Sequence, residues 1–196
     1  MAYIELATLK NALGVTDTDR DALLEQAISA ATSGIDERCG RTFGRDIAAS
    51  TRTFRTRGRT IRDDHGGELL LVDDIATDEG LVIEVGDRAI WTPVHETRFE
   101  TEPENALVLG RPVTSLALLY SWWSLYRRAR ITAVWGWPEV PAGIKQAALL
   151  QASRLYRRKD SPEGVAGSAE WGLVRMPNLD PDVRALVEPF RLTGFG

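Results

Sequence analysis

Two histidines, one cysteine and 28 acidic side chains are what this chain offers for catalysis or metal binding. His65 and His95 stand outside any His-x-x-His or His-Glu-x-x-His spacing, so neither has a partner ligand one helical turn away. Asp63-Asp64-His65 and Asp73-Asp74 can attract a cation, but neighbouring residues of a strand face opposite sides and do not chelate. Cys39 has no histidine near it in sequence and reads as a small buried residue at the end of a helix. Gly58 and Gly66-Gly67 lack the following Gly-Lys-Ser/Thr of a phosphate loop, and there is no Gly-x-Ser-x-Gly. The expectation is a protein that is not an enzyme, with no catalytic residue, no metal site and no cofactor.

Charge is the one chemical feature with a pattern. Residues 45–62 hold six Arg and one Asp, a local net of +5, whereas residues 63–104 hold thirteen Asp or Glu and two Arg, a net of −11. Such blocks form solvated faces, or the basic stretch of one subunit meets the acidic stretch of the next. On the second reading Arg52, Arg55, Arg57 and Arg59 are inter-subunit residues. The competing chemistry is nucleic-acid binding, with Arg52, Arg55, Arg57, Arg59 and Arg62 of one strand on phosphates. Acidic neighbours and the lack of interleaved aromatics other than Phe54 weigh against it, as does a net charge of −4.

The elements that carry these residues follow from periodicity. Leu6 to Leu13 predicts a short helix ended by Gly14. Thr16 or Asp17 can cap the next, whose stripe is Leu23, Leu24, Ala27, Ile28, Ala31 and Ile35, and Gly40 ends it. The small residues Ala30, Ala31, Ser33 and Gly34 suggest a close helix approach. From Ser50 the period turns to two: Thr51–Thr56, Glu68–Val72, Leu81–Val85 with a hairpin partner at Ala89–Val94, one or two strands in Glu96–Leu109, and a last pair, Val113–Tyr120 with Arg128–Trp135. Ser121 to Tyr126 reads as the tip of that last hairpin. Trp122, Trp123 and Tyr126 there either fold back on the core or contact a neighbouring chain. Pro141 opens the strongest helix, with Ile144, Ala148, Ala152 and Leu155 on one face and Arg154, Arg157, Arg158 and Lys159 in its last turn. After an irregular segment, Asp180 caps a short terminal helix with Pro181 at its first position.

The length of 196 residues fits one domain, or one domain with an insertion. A single cysteine excludes an intramolecular disulfide. The start MAYIELATLKN has neither the basic beginning nor the apolar run of a signal peptide, and no run reaches membrane-spanning length.

Several motifs stand in a definite order along the chain. They are Trp-Gly-Trp-Pro from Trp135, Val140-Pro141, and an alanine-rich helix closing in Leu-Tyr-Arg-Arg-Lys-Asp from Leu155. Ser-Pro-Glu-Gly-Val-Ala-Gly from Ser161 follows. Tyr3 to Leu13, the stretch Asp17 to Phe43 ending in Asp-Glu-Arg-Cys-Gly-Arg-Thr-Phe, and Asp180-Pro181-Asp182-Val183 through Pro189-Phe190-Arg191 complete the series. Their order resembles the head-to-tail connector (adaptor) proteins of long-tailed bacteriophages, over both helical ends and not the middle, from about Ser50 to Val113.

The resemblance implies an α+β fold: a small helical bundle (1–49 and 136–160, N-terminal helices plus a long C-terminal helix), a β-rich insertion (50–135), and an extended C-terminal arm with a short terminal helix (161–196). It implies a structural adaptor forming a homo-oligomeric ring, a dodecamer, beneath the portal protein in the virion neck, assembled in the host cytoplasm. DNA passes through the ring during ejection without specific binding, and no membrane is involved. The implied partners are the portal, further copies of the chain, and the next tail-side connector, a stopper or tail terminator. The arm residues expected to touch the portal or a neighbour are Trp171, Val183, Arg184, Leu186, Phe190, Arg191 and Phe195. A tail-completion or terminator ring is the alternative at another level of the neck.

Overall fold

The computed structural model describes residues 1–63, 66–87, 89–158 and 180–192. It is α+β, with four helices and a seven-stranded antiparallel sheet, and the chain divides into two compact units. The first is Met1–Phe43 with Val140–Gly196, the second Gly44–Glu139.

The first unit holds α1 (Leu6–Leu13), α2 (Asp21–Cys39), α3 (Ala142–Arg158) and α4 (Pro181–Val187). Gly14 and Gly40 end α1 and α2 in the left-handed conformation, φ 68° and 66°, which glycine adopts without a Cβ penalty. No side chain caps α2. It starts after Arg20 rather than at a Thr16 or Asp17 cap. Leu24, Ala27, Ile28 and Ala31 of α2 pack with Leu9, Ala152 and Tyr156. Ile144 and Ala148 are fully buried, and Leu155 is half-buried beside the same cluster. Two sequence expectations fail here. Leu23 is 46% exposed, because it lies one position off the buried stripe. Of the small residues expected at a helix approach, Ala31 is buried in the cluster with Ala152, but Ala30 and Ser33 are exposed and a Cβ built at Gly34 would touch nothing within 4 Å.

Polar bonds tie the ends of this unit together. The buried Tyr3 hydroxyl donates to the Asp36 carboxylate and accepts the Phe43 N–H at 2.8 Å. Burial, and then the bond to Asp36, hold the Tyr3 phenol well above its ordinary range. Burial also raises the Asp36 carboxyl, against the lowering effect of the Tyr3 bond.

In the second unit the sheet path runs β1 (Ser50–Arg55), β7 (Arg128–Trp135), β3 (Glu68–Gly86), β6 (Val113–Leu118) and β5 (Phe99–Glu102), with β2 (Thr60–Arg62) and β4 (Trp91–Val94) also on β3. The sequence reading divides β3 into two strands. It is one 19-residue strand whose register shifts at three places between Leu71 and Val82. Such irregularities bend a strand and let it change partners. Its first part pairs β2 and β6, its last part β4 and β7.

The expected last hairpin is therefore absent: β6 and β7 lie on either side of β3 rather than against each other. Their connection, Leu119–Arg127, is a crossover with a 3₁₀ turn at Trp123–Leu125, not a hairpin tip. The bent sheet surrounds one core containing Phe54, Leu70, Ile83, Leu116, Trp123, Ile131 and Trp135. Strand β7 alternates strictly, its even-spaced Ala129, Ile131, Ala133 and Trp135 inward. At its end Gly136 has φ 110°, and a Cβ there would collide with the Gly44 carbonyl.

Candidate functional site

The basic residues of 52–62 separate into two groups. Arg52 and Arg59 are occupied within the subunit. The Arg52 guanidinium reaches Asp73 at 2.9 Å and Asp46 at 3.7 Å, and lies 4.4 Å over the Trp135 ring. Arg59 approaches Asp73 at 3.6 Å and lies 5.1 Å over Phe54. These two arginines cover the aromatic end of the sheet core by stacking and charge pairing. Contact with another subunit is not needed to explain them.

Arg55, Arg57 and Arg62 face the other way, into a groove of about 760 Å³. One wall is the end of β1 and the turn into β2, with Gly58 at the bend, and the other is Ser124 to Arg128. Thr56 joins the walls: its N–H donates to the Arg127 carbonyl at 3.3 Å and its hydroxyl to the Tyr126 carbonyl. The Glu68 carboxylate accepts the Ser124 N–H at 2.8 Å and fixes the start of the second wall. These bonds hold two sequence-distant arginine sets beside each other. Arg55 and Arg128 are direct cross-strand partners in the β1–β7 register. Like charges opposite each other on a sheet are destabilising. Arg127 pairs with Asp87 at 3.3 Å. Among the described residues, Arg55, Arg57, Arg62 and Arg128 form no ion pair.

The sequence reading did not include Arg127 and Arg128 in the basic site. The available signal was the Arg127-Arg128-Ala129-Arg130 run at the head of a strand; pairing that strand with β1 joins the two blocks. Arg130 is a bystander. It binds Glu84 through two bonds of 2.6 and 2.5 Å and stacks 4.7 Å from Trp91. The bond to Arg130 lowers the Glu84 carboxyl below its usual range, and the same bond raises the Arg130 guanidinium.

A contrasting surface lies at the far end of the sheet path. Strand β5 and its flanks carry Glu96, Glu100, Glu102 and Glu104. Glu102 accepts the Glu104 N–H at 2.8 Å, but none of the four has a cationic partner among the described residues.

The aromatic candidates divide in the same manner. Trp123 is fully buried and its Nε1 donates to the Leu116 carbonyl at 2.7 Å, so it is core and offers no contact surface. This corrects the inter-subunit expectation for Trp123: the 3₁₀ turn points its ring inward. Tyr126 is half-buried, its hydroxyl 3.3 Å from Ser121 Oγ, and it lines the arginine groove. Trp122 is 47% exposed, with Tyr120 and Leu125 more exposed still.

The terminal candidates lie in the first unit. Trp171 and Phe195 fall outside the described residues. Val183 and Val187 are fully buried and unavailable to a partner while α4 is docked, which corrects the expectation for Val183. Phe190 stacks edge-on to Phe43 at 5.7 Å. Asp180 both caps α4, accepting the Asp182 N–H at 3.0 Å, and pairs with Arg154 of α3 at 2.8 Å. Glu188 pairs with Arg38 at 2.9 Å, and the Leu192 N–H donates to the Cys39 carbonyl at 2.9 Å. Arg184 and Arg191 are exposed, and Leu186 is half-buried.

Of the acidic side chains that the sequence singles out for a cation, the described ones are otherwise engaged. Asp63 accepts the Gly67 N–H at 2.6 Å, Asp73 holds two arginines, and Asp74 accepts the Trp137 indole at 3.0 Å. Among the described residues no group of three or more His, Cys, Asp or Glu is placed to hold a metal, and no helix is long and apolar enough to cross a membrane. Burial pushes the Cys39 thiol up to about 11, the opposite of an activated nucleophile.

Residues 3–64 match the family model described as phage gp6-like head-tail connector protein. A solved chain from the neck of an empty GTA particle, computed with C6 symmetry, has a similar fold. The TM-score is 0.55 at 20% identity, covering 98% of this chain and 91% of that one. No curated protein matches the chain by sequence.

Proposed function

We propose that this chain is a head-tail connector protein, a non-enzymatic structural component of a virion neck. It forms a ring beneath the portal, joins capsid to tail and surrounds the DNA channel. The observation that carries the reading is a coincidence of two likenesses: a connector-family match over the N-terminal helices, and a neck-protein fold over nearly the whole chain. The helices of the first unit serve as the adaptor bundle, and the second unit is the β-rich insertion. A ring of twelve copies accords with sixfold symmetry, and the next tail-side connector docks below.

Exposed Arg184 and Arg191, with Leu186 and Phe190 at the edge of α4, supply the portal-facing contacts in this reading. In this reading Trp171 and Phe195, outside the described residues, take part in the same contact. Purified chain mixed with portal rings should co-sediment with them, and electron microscopy should show added density on one face. Binding to tail tubes but not to portals instead identifies a terminator ring. Binding to neither refutes a neck role.

A further inference from the structure

We propose that the arginine groove receives the acidic β5 strand and its flanks, residues 96–104, of a second copy of this chain, joined head to tail. The inference deepens the ring reading and depends on it for closure of the ring. The groove is a concave site lined by five arginines against two carboxylates: Asp87 pairs with Arg127 and Glu68 accepts the Ser124 N–H, which leaves Arg55, Arg57, Arg62 and Arg128 without an ion-pair partner among the described residues. Around it the same subunit satisfies Arg52, Arg59, Arg127 and Arg130 internally. Holding Arg55 opposite Arg128 costs stability unless an anion lies between them. The matching set is the four carboxylates of Glu96, Glu100, Glu102 and Glu104, which outnumber the one cation of that segment, Arg98.

Topology sets who can bind whom. β1 and β5 are the two end strands of one sheet path. Glu100 and Glu102 share one face of β5, about 7 Å apart, a spacing suited to two guanidiniums. A subunit with a basic end and an acidic end makes heterologous contacts, in which the bound surface differs from the binding one. Such contacts close into rings or run on as filaments, and they do not saturate in a two-fold dimer. The tyrosine at the groove, Tyr126, gives it an aromatic base, and the exposed Trp122 stands beside it in sequence.

The test uses two full-length charge-reversed variants, R55E/R57E/R62E and E96K/E100K/E104K. All six side chains are exposed, and each fold is checked by circular dichroism. Self-association is followed by sedimentation and native mass spectrometry without portal or DNA. Each variant alone should associate at least about tenfold more weakly than wild type, since like charges now face each other across the contact. An equimolar mixture should recover assembly, because reversed groove meets reversed strand and native groove meets native strand. Assembly of the wild type should weaken as salt rises.

A mixture no better than its components overturns the proposal. So does a wild-type chain that stays monomeric at about 1 mM, or a groove-reversed variant that assembles normally but loses duplex-DNA binding; the last result assigns the groove to phosphates. Rescue by mixing with no attachment to portals leaves this interface standing and removes the adaptor reading instead.

Discussion

Helix α4 has seven residues, too few to persist in water, where isolated helices below about 12–15 residues are marginal. Its order must come from docking, and Val183 and Val187, both fully buried, supply the apolar part of that docking. Val→Ala removes two carbons. At about 0.8 kcal/mol per buried methylene each substitution costs about 1.6 kcal/mol, and the pair about 3 kcal/mol before any cavity term. V183A/V187A should therefore unfold at lower urea. With a slope of about 1–3 kcal/mol per molar, typical of small proteins, the midpoint falls by about 1–3 M. Far-UV circular dichroism is the right probe, since all four described α-helices belong to the first unit. An arm extended away from the bundle, the sequence expectation, predicts no shift. A double variant within about 0.5 kcal/mol of wild type refutes the docked helix and restores the extended arm.

Two further outcomes follow from buried groups. Trp123→Ala should destabilise the sheet unit by about 3–5 kcal/mol, as large aromatic truncations in cores do, and a loss below about 1 kcal/mol in a tryptophan-fluorescence melt means the ring is not core. Stability should fall in alkali. Cys39 has a folded value of about 11 and Tyr3 is raised as well, so above the unfolded values of about 8.5 and 10 the unfolded chain holds fewer protons than the folded one. Each such group lowers stability by about 1.4 kcal/mol per pH unit, starting near the unfolded thiol value and steepening near the phenol value. Cys39→Ala should flatten the first part of that curve, and a stability unchanged up to pH of about 10.5 contradicts both assignments.

Local signals were sufficient where the helices are concerned. Gly14 and Gly40 stop α1 and α2, Asp180-Pro181 starts α4, and the spacing of Leu24, Ile28, Ala31 and Ile35 marks a stripe that is buried in the structure. Pairing in the sheet was less legible, because it depends on partners far apart in sequence. Nothing local to Leu71–Val82 says that an Asp-rich stretch with Gly80 continues as one bent strand. Once it does, β6 and β7 must take opposite sides of it, and the aromatic run at Trp122–Tyr126 becomes a crossover. Trp123 then turns its apolar ring into the core, and the Leu116 carbonyl accepts the indole N–H that burial removes from water. Burial of Val183 was equally out of reach, since the apolar pattern of a short helix is the same for either partner surface.

The candidate site shows the same division between local and non-local information. The arginine block was visible as composition, but composition did not say which arginines were already used. Asp73, 14 residues beyond Arg59, takes both Arg52 and Arg59, and the strand register supplies Arg128 in their place. A net charge of −4 conceals this arrangement: the unmatched Arg55, Arg57, Arg62 and Arg128 collect at one end of the sheet path, and Glu96, Glu100, Glu102 and Glu104, with Arg98 among them, at the other. Within one subunit that separation gains nothing, since exposed charges left unpaired neither pack nor bond. Between subunits it supplies orientation, because a basic end repels another basic end and accepts an acidic one. Charge segregation of this kind is thus best explained as a specification of polarity in assembly.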